Sequence, residues 1–200
     1  MRIIVVGATG TIGTYVAAEL EKRHEVIRAS ANKGPLKVNI TSASSIRTMF
    51  KFVGKFDAVV CTAGTAYFGP FHAMKEKDLY TGIKSKMMGQ VNLVMLGKNK
   101  ISEGGSFTLT TGILYRDPVK GGTALSMVNN AIHGFVLGAA IELKRSVRIN
   151  AVAPGLAEAS AAQLASFFPG HVPVPMGRIV QGYIKSVEGF DTGKVIDVVS

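Results

Sequence analysis

The sequence contains very little cysteine and no tryptophan. Its 200 residues include one cysteine, Cys61, which lies in the apolar run DAVVC. A single thiol excludes a disulfide framework and a cysteine-based metal site. Chains that lack disulfides are typical of a reducing compartment. We therefore expect a cytoplasmic protein that holds no metal ion.

Long hydrophobic runs and clusters of like charge are also missing. The apolar stretch HGFVLGAAIEL is interrupted by Gly138 and Glu142, and the apolar run after Met1 is too short for a signal sequence. The formal net charge is +10, but lysines and arginines occur singly or in pairs, without interleaved aromatic residues. Nucleic-acid surfaces concentrate basic residues and stacking aromatics in one patch. We expect neither a membrane nor a nucleic-acid partner.

The residues that are present indicate one packed α/β domain over 1–200. The hydrophobic content is 47%, and short β-branched runs alternate with amphipathic stretches, which predicts βαβ units around a parallel sheet. Strands are expected at 2–7, 25–29, 57–61, 106–111, 147–153 and 194–199, with a further short one at 36–40. Helices are expected at 11–23, 42–52, 77–96 and 123–144.

The last two of these helices are long and apolar around much of their circumference. This pattern predicts burial against a partner chain as well as against the sheet. The flexible methionine side chains are expected to fill the core between the two helices. They are Met87, Met88, Met95 and Met127.

The segment GATGTIG (7–13) follows a predicted strand and precedes a predicted helix, a setting typical of dinucleotide binding. Gly7 permits the tight turn, Gly10 lets a pyrophosphate approach the backbone, and Gly13 lets the helix pack close to the sheet. Backbone N–H groups at the helix start would face the phosphates. Further predicted contacts here are Thr9, Thr11 and Ile12. The alternative is a glycine-rich turn without a ligand.

The end of the second predicted strand indicates which dinucleotide would bind. NAD-binding units carry an acidic residue there for the ribose 2′-hydroxyl, but VIRASANKG (26–34) has none. It offers Arg28, Ser30, Asn32 and Lys33 instead, and a cationic and hydroxyl set suits a 2′-phosphate. NADP(H) is therefore favoured over NAD(H). The alternative is that Arg28 and Lys33 only face solvent.

With further motifs, the chain resembles the short-chain dehydrogenase/reductase family over essentially its whole length. These motifs are CTAG (61–64), GSFTLTTG (105–112), AIHGF (131–135), NAVAPG (150–155) and TGKVIDV (192–198). The resemblance implies a Rossmann fold, a doubly wound parallel sheet of order 3-2-1-4-5-6-7 with helices on both faces. It also implies homodimers or homotetramers packed through the two long helices. The cofactor contacts that it implies are Asn39, Ile40, Ala63, Gly64, Pro154 and Gly155.

The catalytic residues of that family are not found at the matching positions. The family uses a serine, a tyrosine, a lysine four residues after the tyrosine, and an asparagine on the preceding long helix. The resemblance places these roles on Gly112, Leu125, Asn129 and Lys86 respectively. A shift of one residue would move the serine role to Thr111, but no shift finds a tyrosine followed four residues later by a lysine.

Other groups are candidates to replace them. Lys86 introduces a cation that could polarise a carbonyl or hold an acidic substrate. Thr111 offers a hydroxyl, and Tyr115 and Tyr67 lie on loops from which they could donate protons. The alternatives are a surface or interface lysine and two tyrosines that only pack their loops. His133 is interpreted as a packing residue away from the strand ends.

Two functions therefore stay open. The first is an NADP(H)-dependent oxidoreductase that acts on a small carbonyl compound or alcohol through a non-standard proton donor. The second is a catalytically inactive NADP(H)-binding sensor or scaffold protein. A positioned general acid contributes about 10² to 10⁴ in rate, so loss of the tyrosine favours the second. The family resemblance favours the first.

Overall fold

A seven-stranded, all-parallel sheet with strand order β3-β2-β1-β4-β5-β6-β7 carries the fold in the computed structural model, which describes residues 1–200. The strands are β1 Arg2–Val6, β2 Glu25–Ser30, β3 Leu36–Lys37, β4 Phe56–Cys61, β5 Ile101–Thr110, β6 Arg148–Pro154 and β7 Val195–Val198. This order confirms the predicted Rossmann fold. It reverses between β1 and β4, which opens a crevice at the carboxyl edge of the sheet.

Seven α-helices cover both faces of the sheet. They are α1 Thr11–Leu20, α2 Ala43–Val53, α3 Glu76–Gly82, α4 Met88–Gly97, α5 Thr123–Glu142, α6 Glu158–Leu164 and α7 Met176–Glu188. One hydrophobic core lies beneath α2, α4 and α5, and a second lies beneath α1 and α7. Because the central strands β1 and β4 are covered on both faces, their residues are apolar in succession rather than alternately.

The structure differs most from the sequence-based boundaries at three places, and it also contains a helix that was not predicted, α7. The helix expected at 77–96 is divided, because a five-residue π-helical segment, Ile83–Met87, separates α3 from α4. The strand expected at 36–40 is limited to Leu36–Lys37. Strand β5 begins at Ile101 rather than at 106, because Ile101 pairs with Phe56 ahead of a register shift between β4 and β5. Single π-helical turns inside α-helices are frequent at functional sites.

The outer faces of α4 and α5 expose more apolar side chains than the sequence predicts. Met88, Met95 and Met127 are exposed rather than packed in the core, and so are Leu137 and Ile141. Helix α5 has the length and mean hydropathy of a membrane span, 1.4 over its most apolar window. This corrects the expectation that no segment qualifies. Core helices of soluble proteins meet the same criterion, because one face must pack on the sheet.

Arg148, the first residue of β6, fastens the C-terminal end of α7. Its Nη1 donates to the carbonyl oxygen of Ser186 at 2.7 Å, and its Nη2 donates to that of Val187 at 2.8 Å. The last carbonyls of a helix lack partners within the helix. A cation there also interacts favourably with the helix dipole. Arg148 therefore links the sheet to the helix that covers its second core.

We predict that Arg148→Met lowers the free energy of unfolding by about 1–3 kcal/mol, because the carbonyl oxygens of Ser186 and Val187 lose their charged donor. Urea denaturation monitored by circular dichroism measures this change. Arg178→Met is the matched control, since Arg178 is exposed in the first turn of the same helix and should change stability by less than about 0.5 kcal/mol. Equal stability of the two variants would contradict the role of Arg148.

Candidate cofactor and active site

The turn between β1 and α1 has the geometry of a phosphate cradle. Gly7 has a φ of 88°, and a Cβ atom at Gly13 would collide with the carbonyl oxygen of Gly7, so the turn requires glycine at both positions. Helix α1 begins at Thr11, and its N-cap residue, Gly10, provides no side-chain cap. The N–H groups of Thr11 and Ile12 therefore lack partners within the helix. Free amides at a helix N-terminus bind phosphate, so these residues fit the pyrophosphate of a dinucleotide.

Arg28 of β2 makes a different contact from the one that the sequence predicts. The Arg28 guanidinium forms a bidentate pair with Glu21, at 2.6 Å from Nε and 2.7 Å from Nη2. Its hydrogen bonds lower the pKa of the Glu21 carboxyl. Glu21 follows the C-terminal end of α1, so the pair lies at the opposite end of that helix from the glycine turn. Arg28 could contact a 2′-phosphate only if its ion pair with Glu21 broke, so that contact stays a prediction.

Closer to the carboxyl edge, Ser30 ends β2, and its hydroxyl donates to the carbonyl oxygen of Lys33 in the following turn. Asn39 uses its side-chain oxygen within its own turn, where Thr41 donates from its N–H at 3.0 Å and from its hydroxyl at 2.8 Å. Both acceptor positions of that oxygen are engaged. The adenine contact expected of Asn39 therefore stays a prediction. Ile40 is buried, and its side chain packs against Gly89 of α4.

Lys86 lies in the π-helical segment, and two features fix its backbone. Gly64 has a φ of 129°, and a Cβ atom there would lie only 2.7 Å from the Lys86 Cα, so only glycine lets the loop after β4 approach. The buried Gln90 donates from Nε2 to the carbonyl oxygens of Lys86 at 3.0 Å and Thr110 at 2.9 Å. It also accepts from the Thr110 N–H at 2.7 Å. Lys86 is thereby held against the end of β5.

The Lys86 ammonium reaches the residue that follows β5. Its Nζ donates to the carbonyl oxygen of Thr111 at 3.3 Å. Burial lowers the pKa of Lys86 from its ordinary 10.5 to about 8. The neighbouring Cys61 is fully buried, and burial raises the pKa of its thiol to about 11. A lysine with a pKa near neutrality can both bind an anionic or carbonyl oxygen and exchange a proton.

Asn129 of α5 reaches the same strand end. Its Nδ2 donates to the carbonyl oxygen of Gly112 at 3.2 Å, whereas its buried Oδ1 has no hydrogen-bond partner. Together with Gly112, Leu125, Pro154 and Gly155, it lines a cavity of about 190 Å³. A buried acceptor without a partner costs about 1–3 kcal/mol. The oxygen therefore fits a donor on a bound cofactor or substrate.

Thr111, Tyr115 and His133 form a second polar group beside this cavity. The hydroxyl of Thr111 lies 2.8 Å from Nε2 of His133, whose ring lies edge-on to that of Tyr115 at 4.3 Å between centroids. The Tyr115 hydroxyl donates to Oδ2 of Asp197 at 3.1 Å, and burial together with that carboxylate raises the pKa of Tyr115. The interpretation of His133 as a residue away from the strand ends is therefore wrong. Its spacing of four from Asn129 places both on one helix face.

The remaining tyrosine candidate lies outside this group. The hydroxyl of Tyr67 folds back over Gly69 in its own loop, where an added Cβ atom would lie 2.6 Å from it. No group of three His, Cys, Asp or Glu side chains lies close enough to hold a metal ion. The structure thus brings Lys86, Gly112 and Asn129 together at the end of β5.

We predict that Lys86→Met stabilises the apoprotein at pH 7 by about 1–3 kcal/mol, because it removes a charge that burial disfavours. The folded-state pKa of Lys86, about 8, is below its ordinary 10.5. The unfolded chain therefore binds more protons between these values, so wild-type stability rises with pH across that window. The difference in free energy of unfolding between Lys86→Met and wild type should therefore become smaller from pH 8 to pH 10.5. Urea denaturation at each pH measures it.

Lys84→Met is the matched control for this stability prediction, because Lys84 lies in the same segment but is exposed. It should leave the free energy of unfolding within about 0.5 kcal/mol at every pH. If Lys86→Met is less stable than wild type at pH 7, burial of the Lys86 ammonium does not destabilise the wild-type protein, and the prediction is contradicted.

Comparisons with known proteins show the family to which this fold belongs. A family model described as enoyl-(acyl carrier protein) reductase matches residues 7–181. The solved structure of the protein lin1944 from Listeria innocua is 42% identical, with 99% of each chain covered and a TM-score of 0.97. A small-chain dehydrogenase is 30% identical, covering 100% of this chain and 96% of that one, with a TM-score of 0.88.

Another solved structure, of a small-chain dehydrogenase in complex with NADPH, is 29% identical and has a TM-score of 0.87, with 100% of this chain and 96% of that one covered. A comparison with curated proteins found no match. Because the family model spans residues 7–181 and the similar structures cover nearly the whole fold, the chain belongs to the short-chain dehydrogenase/reductase family.

Proposed function

We propose that this protein is an NADP(H)-dependent oxidoreductase that moves hydride between the cofactor and a small carbonyl compound or alcohol. The observation that carries the proposal is the Lys86 ammonium, held at the end of β5 on the same sheet edge as the glycine turn. A cavity lined by Gly112 and Asn129 adjoins that strand end. The NADPH complex of a 29% identical dehydrogenase supports the choice of cofactor.

The cofactor would lie across the carboxyl edge of the sheet. The amides of Thr11 and Ile12 would hold the pyrophosphate, and Gly10 presents no side chain that would block it. When bound, the nicotinamide ring supplies or accepts the hydride. The absence of an acid at the end of β2 supports NADP(H) over NAD(H), with Ser30 and the exposed Lys33 as the nearest groups for a 2′-phosphate.

Lys86 is the proposed proton donor during carbonyl reduction. An ammonium with a pKa of about 8 is mostly protonated at pH 7, and only one of its three donor hydrogens is engaged, by Thr111. It polarises the carbonyl oxygen and transfers a proton to that oxygen as the carbon receives hydride. The neutral amine then regains a proton from solvent. The hydroxyls of Thr111 and Tyr115 are engaged by His133 and Asp197, which makes them weaker candidates.

The space at the site limits the size of the substrate. The cavity of about 190 Å³ has apolar walls from Leu125, Leu156 and Phe168. It adjoins a groove of about 590 Å³, with which it shares Ile113, Gly155 and Leu156. A reacting carbonyl with a small apolar substituent fits the cavity, and any larger part of the substrate would extend into the groove.

The proposal predicts that Lys86→Ala lowers kcat for NADPH-dependent reduction by about 100-fold or more, the contribution of a positioned general acid. In wild type, the rate should fall as pH rises through about 8, because the ammonium loses the proton that it donates. NADPH oxidation over a panel of aldehydes, ketones and quinones measures both effects. Lys84→Ala, which removes an exposed lysine of the same segment, is the control.

Catalysis that survives Lys86→Ala with an unchanged pH profile would exclude Lys86 as the donor. The second candidate function, an inactive NADP(H)-binding sensor or scaffold, is favoured by Leu125 in place of a tyrosine. Tight NADPH binding without oxidation by any compound of the panel would support it. Failure to bind NADPH or NADH at millimolar concentration would exclude both functions.

Two substitutions would restore the hydroxyls of the family serine and tyrosine. Gly112 has an extended backbone, and an added Cβ atom there would meet Asn129 Nδ2 at an ordinary 3.6 Å, so a serine fits. Leu125 lines the same cavity. Gly112→Ser with Leu125→Tyr should raise carbonyl reduction about tenfold or more, because Lys86 would lower the pKa of the new phenol. Gly112→Ala with Leu125→Phe is the matched control, and equal rates would contradict the expectation.

We propose that the protein forms homodimers or homotetramers through α4 and α5, whose outer faces expose Met95, Met127, Leu137 and Ile141. Added Cβ atoms at Gly134 and Gly138 would meet nothing, so the outer face of α5 allows close approach by another helix. Exposed apolar patches of this kind mark interaction surfaces.

A further inference from the structure

A cavity of about 740 Å³, here called the outer chamber, lies outside the site described above. Its walls come from the three segments that follow β4, β5 and β6. Sites for small organic ligands measure about 300–1,000 Å³ and have mostly apolar walls. The outer chamber therefore has the size of a ligand site, and the proposed chemistry at the end of β5 does not use it.

Rings from all three segments line the outer chamber. Phe68 and Phe167 meet edge-on with their ring centroids 5.2 Å apart, and Phe167 remains 47% exposed. Contact with Phe68 therefore covers only part of the Phe167 ring. Pro70, Pro118 and Pro169 add one further ring from each segment. Such walls suit an apolar ring, because aromatic side chains pack against other rings edge-on or in offset stacks.

Two glycines keep side chains out of the space between these rings. The N–H of Gly69 donates to the carbonyl oxygen of Gly121 at 2.9 Å, which joins the segments after β4 and β5. Gly121 has a φ of 87°, a conformation that favours glycine. Both residues line the outer chamber. Bare backbone at this junction leaves room for a flat group.

The charges of the outer chamber select neither an anion nor a cation. Its two charged side chains, Asp117 and Lys120, are exposed and opposite in sign. Its histidine, His171, already faces Asp117, with Nε2 at 3.6 Å from Oδ2. No unpaired cluster of one sign is present to hold a charged ligand. An uncharged ring therefore fits the outer chamber best.

The outer chamber is adjacent to the groove that leads to the candidate site. It shares Asp117 and His171 with the groove of about 590 Å³. That groove in turn shares Ile113, Gly155 and Leu156 with the cavity at the end of β5. The three spaces therefore follow one another, and the Asp117–His171 pair lies at the boundary between groove and chamber.

We propose that the substrate is a carbonyl compound or alcohol with an aromatic ring at its far end, and that Phe68 and Phe167 determine specificity for that ring. This inference rests on the proposed function. The reacting carbon occupies the cavity, the connecting chain lies in the groove and passes the Asp117–His171 pair, and the ring occupies the outer chamber. The cavity thus limits the size of the reacting end alone.

The test compares aldehydes that end in a phenyl group with straight-chain aldehydes of the same number of carbon atoms. Phenylacetaldehyde, phenylpropanal, phenylpentanal and phenylheptanal, each with the phenyl group on the terminal carbon, give a series of increasing reach. At the length that brings the ring into the outer chamber, kcat/KM for NADPH-dependent reduction should exceed that of the straight-chain aldehyde about tenfold. Contacts to a remote part of a substrate supply binding energy that a truncated substrate lacks.

Phe167→Ala should raise KM for the best phenyl aldehyde about tenfold and leave kcat unchanged, because the ring contact is the same in ground and transition state. Phe68→Leu should change KM in the same direction. KM for butanal, which does not reach the outer chamber, should stay within about twofold of wild type in both variants. Because Phe167 is 47% exposed, its truncation leaves the hydrophobic cores intact.

Phe71→Ala is the matched control, since Phe71 is 69% exposed in the same segment as Phe68 and does not line the outer chamber. It should leave KM for every aldehyde unchanged. Calorimetric titration with the phenylalkanol of the best chain length measures the ring contact without turnover. Phe167→Ala should weaken this binding by about the same factor as it raises KM.

The outcomes separate the ring site from the proposed function. Equal kcat/KM for phenyl and straight-chain aldehydes at every length would overturn the ring site and leave the oxidoreductase intact. Phenylalkanol binding that Phe167→Ala weakens, in a protein that reduces no aldehyde, would support the ring site and contradict the oxidoreductase. If Phe167→Ala alters the oligomeric state in analytical ultracentrifugation but not KM, the exposed ring contacts a second copy of the chain, and the proposal is wrong.

Discussion

The hydrogen bonds that fasten the carboxyl end of β5 are the constraint on which the site depends. Gln90 is fully buried and bonds both the N–H and the carbonyl oxygen of Thr110, while it also holds the carbonyl oxygen of Lys86. These bonds join the π-helical segment to the strand. Without them, the Lys86 ammonium would have no fixed position relative to the cavity. A site of this kind needs its reacting groups held on rigid elements.

The same region contains groups that reduce the stability of the protein. Burial lowers the pKa of Lys86 to about 8, and Asn129 Oδ1 is buried without a partner. Each is unfavourable for the folded chain alone, and each is relieved by a ligand with complementary groups. Strongly perturbed groups that share a cleft are typical of functional sites. Their presence together gives the cofactor-binding interpretation a physical basis beyond membership of a family.

Much of the architecture could be predicted from the sequence, because its signals are local. Apolar β-branched runs fix most strands, and the glycine turn at 7–13 places a helix start directly after β1. The strand order followed from motif resemblance and is confirmed. The sequence predicted β3 but not its limit at Lys37, and it did not predict the early start of β5. Both depend on pairing with a neighbouring strand, which a single segment does not encode.

The site was less predictable, because it depends on contacts between distant segments. The pairing of Arg28 with Glu21 joins a strand to the end of a helix, and the bond between His133 and Thr111 joins α5 to the residue that follows β5. Neither leaves a pattern in the local sequence. Position Lys86 was identified through resemblance, but its π-helical backbone and lowered pKa depend on tertiary packing against Gly64 and Gln90.

A crystal structure of the protein with NADPH tests the central claim most directly. The pyrophosphate should lie on the amides of Thr11 and Ile12, and the nicotinamide ring should lie over the end of β5. The ring should adjoin the cavity that Gly112 and Asn129 line. A complex in which the dinucleotide occupies the glycine turn while its nicotinamide ring lies away from the end of β5 and from Lys86 would contradict the claim.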